Sequence, residues 1–529
     1  MSTDGSASDP RQTSGATSYR SSAAAGGVWG FLQLGFAKGT ATVSTFAFAY
    51  LFTREEVGVA ASALAFVSFL LVFPPPVISD VLVRHGNDLV HWIGPGRKLA
   101  RFVGVFSALV IGAAALVVGL GLGQTELAII VGVLALRALF ESLAYPALSR
   151  MRVALRFRQI ASIDALVAAT VMLVGIGYAW IARRPEAMVV GFVAGAIVRL
   201  AALARAAGPR DDADDDAELG ALRYRDLFRE FRHACFGHYL FAILLVIDYL
   251  VLTLLTSKQV VGTYYLAFTL STQINTALGM TLGVVVQPIF GHLRHEPERQ
   301  VRAFATVARS IAAVAIPAAL LQAALSRLFF EVALPAEWAA SAPLLEILSV
   351  AMCFACCMGP CLAMLTAQAR FGAYLRLQAA QLAFLGVFTT IGALAGGDER
   401  AATYAAYAVL AQFLIFGPLA LWLAVRRADL ASESRIGAAA ALGIFLRPAA
   451  IGAVAVAPAA VAARLELEIP TVARIALVVV ASLASTVLYA ILLRILAPAV
   501  WSDLGAEIRR ILDRFPSRLL GRRESAGRS

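Results

Sequence analysis

Apolar runs of about twenty residues recur along the whole chain, divided by short polar stretches. A helix rises about 1.5 Å per residue, so each run is long enough to cross a hydrocarbon core of about 30 Å. A helix buried on one face in a soluble protein would carry a charge about every turn. Strands of a membrane barrel would show short alternating segments. The pattern therefore predicts an all-α, polytopic integral membrane protein of about fourteen transmembrane helices. They fall at 28–52, 57–79, 102–122, 127–148, 160–181, 187–207, 234–256, 260–289, 304–325, 343–366, 375–394, 403–423, 436–460 and 469–496.

Within this pattern one stretch occurs twice. "DYLVLTLLTSKQVVGTYYLAF" (Asp248–Phe268) is echoed by "FAFAYLFTREEVGVAASALAF" (Phe46–Phe66). Each reads as an apolar helix, a Thr with a few polar residues, Val-Gly, and a second apolar helix. The echo predicts two related halves: two pseudo-symmetric six-helix lobes plus two C-terminal helices. The boundaries follow as a disordered cytoplasmic N-terminus (1–25), an N-lobe (26–208), a cytoplasmic linker (209–233), a C-lobe (234–425), two further spans (426–498) and a cytoplasmic amphipathic tail (499–529). The Ser-, Thr- and Gly-rich start lacks the apolar residues needed to fold. The acidic run Asp211–Asp216 reads as a solvated linker.

Composition adds direction. The chain has 529 residues, is 60% hydrophobic and carries a net charge of +11, with a mean hydropathy of +0.77. Arg and Lys collect after even-numbered spans (Arg84, Arg97, Lys98, Arg101; Arg150, Arg152, Arg156, Arg158), whereas the odd loops are short and near-neutral or acidic, except the one after span five, which carries Arg183 and Arg184. The positive-inside rule places the even loops and both termini in the cytoplasm. Topology thus accounts for the positive charge, and nucleic acid is not implied as a partner. No Walker A loop, dinucleotide fingerprint or HExxH sequence occurs. No enzyme, cofactor or resident metal is called for. Cys353, Cys356, Cys357 and Cys361 share one apolar run, with Cys353, Cys357 and Cys361 on one helical face, and read as packing residues.

Ionisable and amide side chains inside spans are costly and mark function or pairing. Lys38 and Gln33 fall in span one, and Lys38 has no acid on its own helix. Arg137 and Glu141 fall in span four at i and i+4, the spacing of a local ion pair, with an exposed anion-binding Arg137 as the alternative. Asp164, Arg199 and His238 follow. Asp248 lies mid-span seven, where it pairs across the halves with Lys38 or Arg137 or serves as an ion site. Gln273 and Asn275 in span eight, and Gln322, Gln381 and Gln412 beyond it, read mostly as interhelical hydrogen-bonding groups. Pro74, Pro75 and Pro76 break or bend span two, and Gly279 with Gly283 does the same for span eight, which suggests a moving gate.

Four stretches carry a resemblance: "GGVWGFLQL" (Gly26–Leu34), "LFTREEVG", "YPALSRMRVALRFRQIA" (Tyr145–Ala161) and "IDYLVLTLLTSKQVVGTYYLAFTLSTQI" (Ile247–Ile274). They resemble bacterial polysaccharide flippases of the Wzx type. That family lies in the multidrug/oligosaccharidyl-lipid/polysaccharide (MOP) exporter superfamily, with the peptidoglycan lipid flippase MurJ and the MATE exporters as relatives. The resemblance covers spans one to twelve; the triple proline and the acidic linker depart from it.

It implies two lobes around a central cavity in the bacterial inner membrane, with a polyprenyl-pyrophosphate-linked oligosaccharide as substrate. Lys38, Arg137, Gln33, Gln273 and Asn275 would line the cavity. Asp248 and Glu141 would couple transport to a proton or sodium ion, the alternative drive being the membrane potential. Membrane lipids, a polymerase and other polysaccharide assembly proteins are the implied partners. The alternatives are a MATE-like exporter of small cations, a transferase acting on lipid-linked sugars, and a scaffold of an assembly complex.

Overall fold

The computed structural model describes residues 33–208, 217–276, 281–426, 438–465, 470–498, 500–502 and 505. Among the described residues every regular element is helical. The first helix, α1, covers 33–51. Then follow α2 (Arg54–Leu70), α3 (Pro76–Arg84), α4 (Leu89–Leu116), α5 (Thr125–Val153), α6 (Phe157–Ala182), α7 (Ala187–Ala206), α8 (Ala217–Leu244), α9 (Ile247–Leu255) and α10 (Lys258–Asn275). The chain continues through α11 (Thr281–His292), α12 (Pro297–Ala333), α13 (Ala342–Ala355), α14 (Met358–Ala367), α15 (Phe371–Val425), α16 (Ala438–Arg464) and α17 (Thr471–Leu496).

Among the described residues nine helices are long and apolar enough to cross a membrane, or ten if α8 and α9 form one bent span. α15 holds two of the predicted spans. Fifty-five residues would run about 80 Å as one rod, but Gly397 (φ 53, ψ −164) leaves the helical region and separates two arms. Apolar side chains face outward, as lipid requires: Leu166, Leu173 and Trp180 recur every seventh residue on α6 and are all exposed.

Several spans differ from the straight rods that hydropathy predicts. Span two stops at Leu70 and resumes at Pro76, with Pro74 and Pro75 between. α2 itself starts on a capping box, in which Thr53 and Glu56 bond each other's backbone N–H. Span seven bends by 58° between α8 and α9. Span ten breaks at Cys356 and Cys357, between α13 and α14. The single helical face expected for Cys353, Cys357 and Cys361 is therefore wrong, because the break falls among them. The thiols of Cys353 and Cys357 donate to the carbonyls of Ile316 (3.8 Å) and Ala308 (3.5 Å). In span eight α10 and α11 flank residues 277–280, so Gly279 lies outside the described residues, as do Asp211–Asp216 and nearly all of the tail.

Two segments are longer than predicted. α4 begins at Leu89 and carries Arg97, Lys98 and Arg101 within the helix. Residues 217–233, read as linker, form the start of α8. Hydropathy marks only the apolar middle of a span, whereas the backbone continues into water as helix while its polar side chains are solvated.

The chain divides into two compact units. The first comprises Met1–Leu270, Leu334–Ser341 and Gln378–Ala408; the second comprises Ser271–Ala333, Ala342–Leu377 and Val409–Ser529. One core of the first unit joins α3, α4, α5, α7 and α8 through Ile78, Leu82, Leu99, Leu148, Leu203 and Phe231. Another joins α2, α4, α5 and α7 through Ala60, Ile111, Ile130 and Val189. In the second unit α16 and α17 pack on α12 through Ala313, Ile451, Tyr489 and Leu493.

The two units repeat one joint. After α5, Leu155 takes φ 54, and after α14, Ala369 takes φ 55. Each ends its helix with the same left-handed cap: Arg156 N–H donates to Met151 O and Arg370 N–H to Leu365 O, both at 3.0 Å. Each following Arg reaches the C-terminal end of another helix. Arg156 donates to Ala206 O of α7 at 3.0 Å. Arg370 donates to Leu423 O at 2.6 Å and Arg426 O at 2.9 Å, where α15 ends. A cation there satisfies orphan carbonyls and opposes the negative end of the helix dipole. A Phe then starts the next helix in both places, Phe157 and Phe371.

Candidate functional site

The first unit contains a polar seam on α5. Arg137, Glu141, Tyr145 and Ser149 follow at intervals of four residues, so they share one helical face. An Arg137 amino group lies 3.4 Å from Glu141 Oε1, and its guanidinium stacks over the Phe192 ring of α7, 4.7 Å from the centroid. Phe192 and Arg199 are two turns apart on α7 and share a face. Arg199 donates to Asp164 Oδ1 of α6 at 2.6 Å. Asp164 Oδ2 accepts from Gln33 Nε2 of α1 at 3.2 Å. One carboxylate thus ties three helices together.

The seam continues where α3, α5 and α8 meet. Ser149 and Ser79 bond through their hydroxyls at 3.1 Å. Arg152 donates to Ser79 Oγ and to Asp80 Oδ1, both at 3.2 Å. His238 of α8 lies 3.6 Å from Asp80 Oδ2.

Lys38 is half-buried on α1. Among the described residues no acid pairs with its ammonium. Five residues separate it from Gln33, about 140° around the helix, so the two do not share the face that Gln33 turns to Asp164. Arg137 and Glu141 are each other's partners, which joins a substrate-binding candidate to a coupling candidate.

Asp248 is 1% exposed. It sits in the first turn of α9, just past the bend. Its carboxylate accepts from the Tyr264 hydroxyl of α10 at 2.5 Å and from Tyr249 N–H at 2.9 Å. The partner is a phenol from its own hairpin, not Lys38 or Arg137. Tyr249 packs edge-on against Tyr265, centroids 5.9 Å apart, and encloses the site. Gln273 and Asn275 end α10 in the second unit, each half-buried. For Gly283 only the helical backbone of α11 is described.

Sequence reasoning singled out Asp164, Arg199 and His238 without assembling them, and missed Tyr264, Asp80, Arg152 and the two serines. The four-residue rhythm Arg137–Glu141–Tyr145–Ser149 was the available signal. The Asp248–Tyr264 bond had none, since its sixteen-residue separation depends on how a hairpin closes.

The profile of a family described as "Polysaccharide biosynthesis protein" matches residues 47–343. The chain belongs to this family. The match takes in α2 to α12, hence Arg137, Glu141, Asp164, Arg199 and Asp248. Two solved structures share its fold. One is a mutant of the Vibrio cholerae MATE transporter VcmN, with TM-score 0.51 and 14% identity, over 77% of this chain and 96% of that one. The other is a multidrug resistance MATE family transporter of the MOP superfamily in an inward-facing conformation, with TM-score 0.51 and 14% identity, over 74% of this chain and 94% of that one. No curated protein matches. This is a multi-pass membrane protein of the polysaccharide biosynthesis family with the fold of MATE transporters, as the resemblance implied.

Proposed function

We propose that the protein is a flippase that moves a polyprenyl-pyrophosphate-linked oligosaccharide across the bacterial inner membrane by alternating access, for surface polysaccharide, exopolysaccharide or lipopolysaccharide assembly. The observation that carries this reading is Lys38, a half-buried cation in an apolar helix without an acid among the described residues. An uncompensated cation at membrane depth costs about 2.5–3.5 kcal/mol on insertion scales. A site kept at that cost suits an anionic ligand, and a pyrophosphate head supplies the charge. Family membership supplies the glycan context. The lipid tail stays in the bilayer while the head passes between a lobe at 26–208 and a lobe at 234–425.

Arg137 serves as the second cation, released from Glu141 when substrate arrives. Gln33, Gln273 and Asn275 provide amides for the sugar. Asp248 and Glu141 are the coupling groups for a proton or sodium ion, the membrane potential being the other drive, since the chain has no ATP-binding loop. The break at Pro74–Pro76 and the glycines Gly279 and Gly283 are the gating points. Both termini lie in the cytoplasm, where the tail meets lipids, polymerase and assembly proteins. Lys38→Ala and Arg137→Ala should each abolish glycan display while the protein still inserts and folds. Normal surface glycan in both variants would remove the cavity assignment.

A MATE-like exporter of small cations is the second reading, favoured by the buried acid Asp248 in a MATE fold. Overexpression that raises drug resistance without restoring glycan display would select it.

A further inference from the structure

α3 is a nine-residue helix set apart from α2 by the proline break. Its apolar face, Val77, Ile78, Val81 and Leu82, packs on Leu227, Phe231 and Cys235 of α8. Two imidazole–carboxylate pairs flank this contact, one in each direction. Asp80 of α3 faces His238 of α8 at 3.6 Å. Glu230 of α8 faces His85, the residue that caps α3, also at 3.6 Å. Numbering rises along α3 as it falls along α8, so the helices run antiparallel and are fastened at two points.

The other groups around these pairs are defined. The His85 ring stacks on Trp92 of α4, with centroids 3.9 Å apart and planes 14° apart. Its Nε2 is buried and makes no hydrogen bond. On the other side Arg152 of α5 holds Asp80 Oδ1 at 3.2 Å, leaving Oδ2 to His238. Arg84 on α3, and Arg229 and Arg232 on α8, are exposed.

A neutral imidazole 3.6 Å from a carboxylate contributes little, while a protonated one forms an ion pair. Histidine ordinarily titrates near pH 6.5. Both helices are also arms cut loose from their own spans: α3 by the prolines, α8 by the 58° bend before α9. We propose that His85 and His238 form a proton-binding latch between α3 and α8. Two bound protons convert an apolar contact into one closed by two ion pairs, and their release leaves it held by apolar packing alone. Because the helices run antiparallel, the dipole that the charges Asp80 and protonated His85 set along α3 opposes the one that Glu230 and protonated His238 set along α8. The latch does not depend on what the protein carries.

The test uses the full chain in lipid nanodiscs. Amide hydrogen exchange of residues 76–84 is followed at pH about 5.5 and about 8, either side of the histidine range, and corrected for intrinsic rates. Wild-type protein should show about fivefold more protection at the lower pH, the scale of two partly exposed ion pairs. His85→Gln/His238→Gln should abolish the difference, and Glu230→Gln, which keeps shape and removes one pair, should reduce it by about half. Trp92 emission, taken as the difference from Trp92→Phe, should be quenched as the protein is acidified, except in His85→Gln. Equal protection at both pH values in wild type, or an undiminished difference in both Glu230→Gln and the double variant, would overturn the latch. Neither readout involves glycan display, so the latch and the flippase reading can fail separately.

Discussion

Gly58 and Gly262 sit against each other where α2 and α10 cross, each facing the carbonyl four residues before the other. A Cβ on Gly58 would collide with Lys258 O, and one on Gly262 with Arg54 O and, at 2.9 Å, with Gly58 N. The crossing is reciprocal, as a local two-fold relation requires. These are the glycines of "TREEVG" and "SKQVVG", so the sequence echo meets itself in space. Around it Thr253 donates to Ser62 at 3.1 Å and Lys258 reaches the same hydroxyl at 3.4 Å.

Gly→Ala inside a helix ordinarily stabilises by about 1 kcal/mol. Here the colliding atoms are backbone and cannot turn aside. Gly58→Ala and Gly262→Ala should each destabilise by about 1–3 kcal/mol, the usual cost of overpacking. Thermal unfolding of the purified protein gives the sign. Gly35 and Gly39, whose Cβ positions are open, are the controls, and Ala there should not lower the midpoint.

The Asp248–Tyr264 bond predicts strong coupling. Tyr264→Phe leaves a buried carboxylate with one donor fewer, and Asp248→Asn leaves the phenol a weaker acceptor. In a double-mutant cycle the pair should couple by about 1–3 kcal/mol. Coupling near zero in thermal or denaturant unfolding would show that the phenol does not hold the acid.

Asp164 is the shared acceptor of Gln33 and Arg199. Removing it strands a guanidinium whose Nε is already buried without a partner. Asp164→Ala should cost about 3 kcal/mol, and Arg199→Leu added to it should recover part of that loss, because breaking one side of a buried pair is worse than removing both. Insertion yield and unfolding midpoint of the single and double variants provide the check.

The joints at Arg156 and Arg370 should respond unequally. Each charged hydrogen bond contributes about 1.5–3 kcal/mol. Arg156 reaches one carbonyl of α7, and Arg370 two at the end of α15. Arg370→Ala should lower the unfolding midpoint more than Arg156→Ala. Leu155→Gly and Ala369→Gly should raise it slightly by relieving positive φ.

The sequence by itself determined that the chain lies in a membrane, since only apolar runs of this length repay burying the backbone in lipid. It also determined the two-half echo, the break at the triple proline and the Arg137–Glu141 pair, because these rest on chain-local geometry: a period, a missing N–H, a spacing of four. Tertiary structure decided whatever depends on two distant segments meeting. Asp164 gained Arg199 and Gln33, Asp248 took Tyr264 rather than a cation, and the bend at Leu245–Val246 appeared where no proline or glycine marks it. A hydropathy window measures how apolar a run is. It does not sense which neighbour will offer a donor once the helices pack, and that offer set the partners of the buried charges.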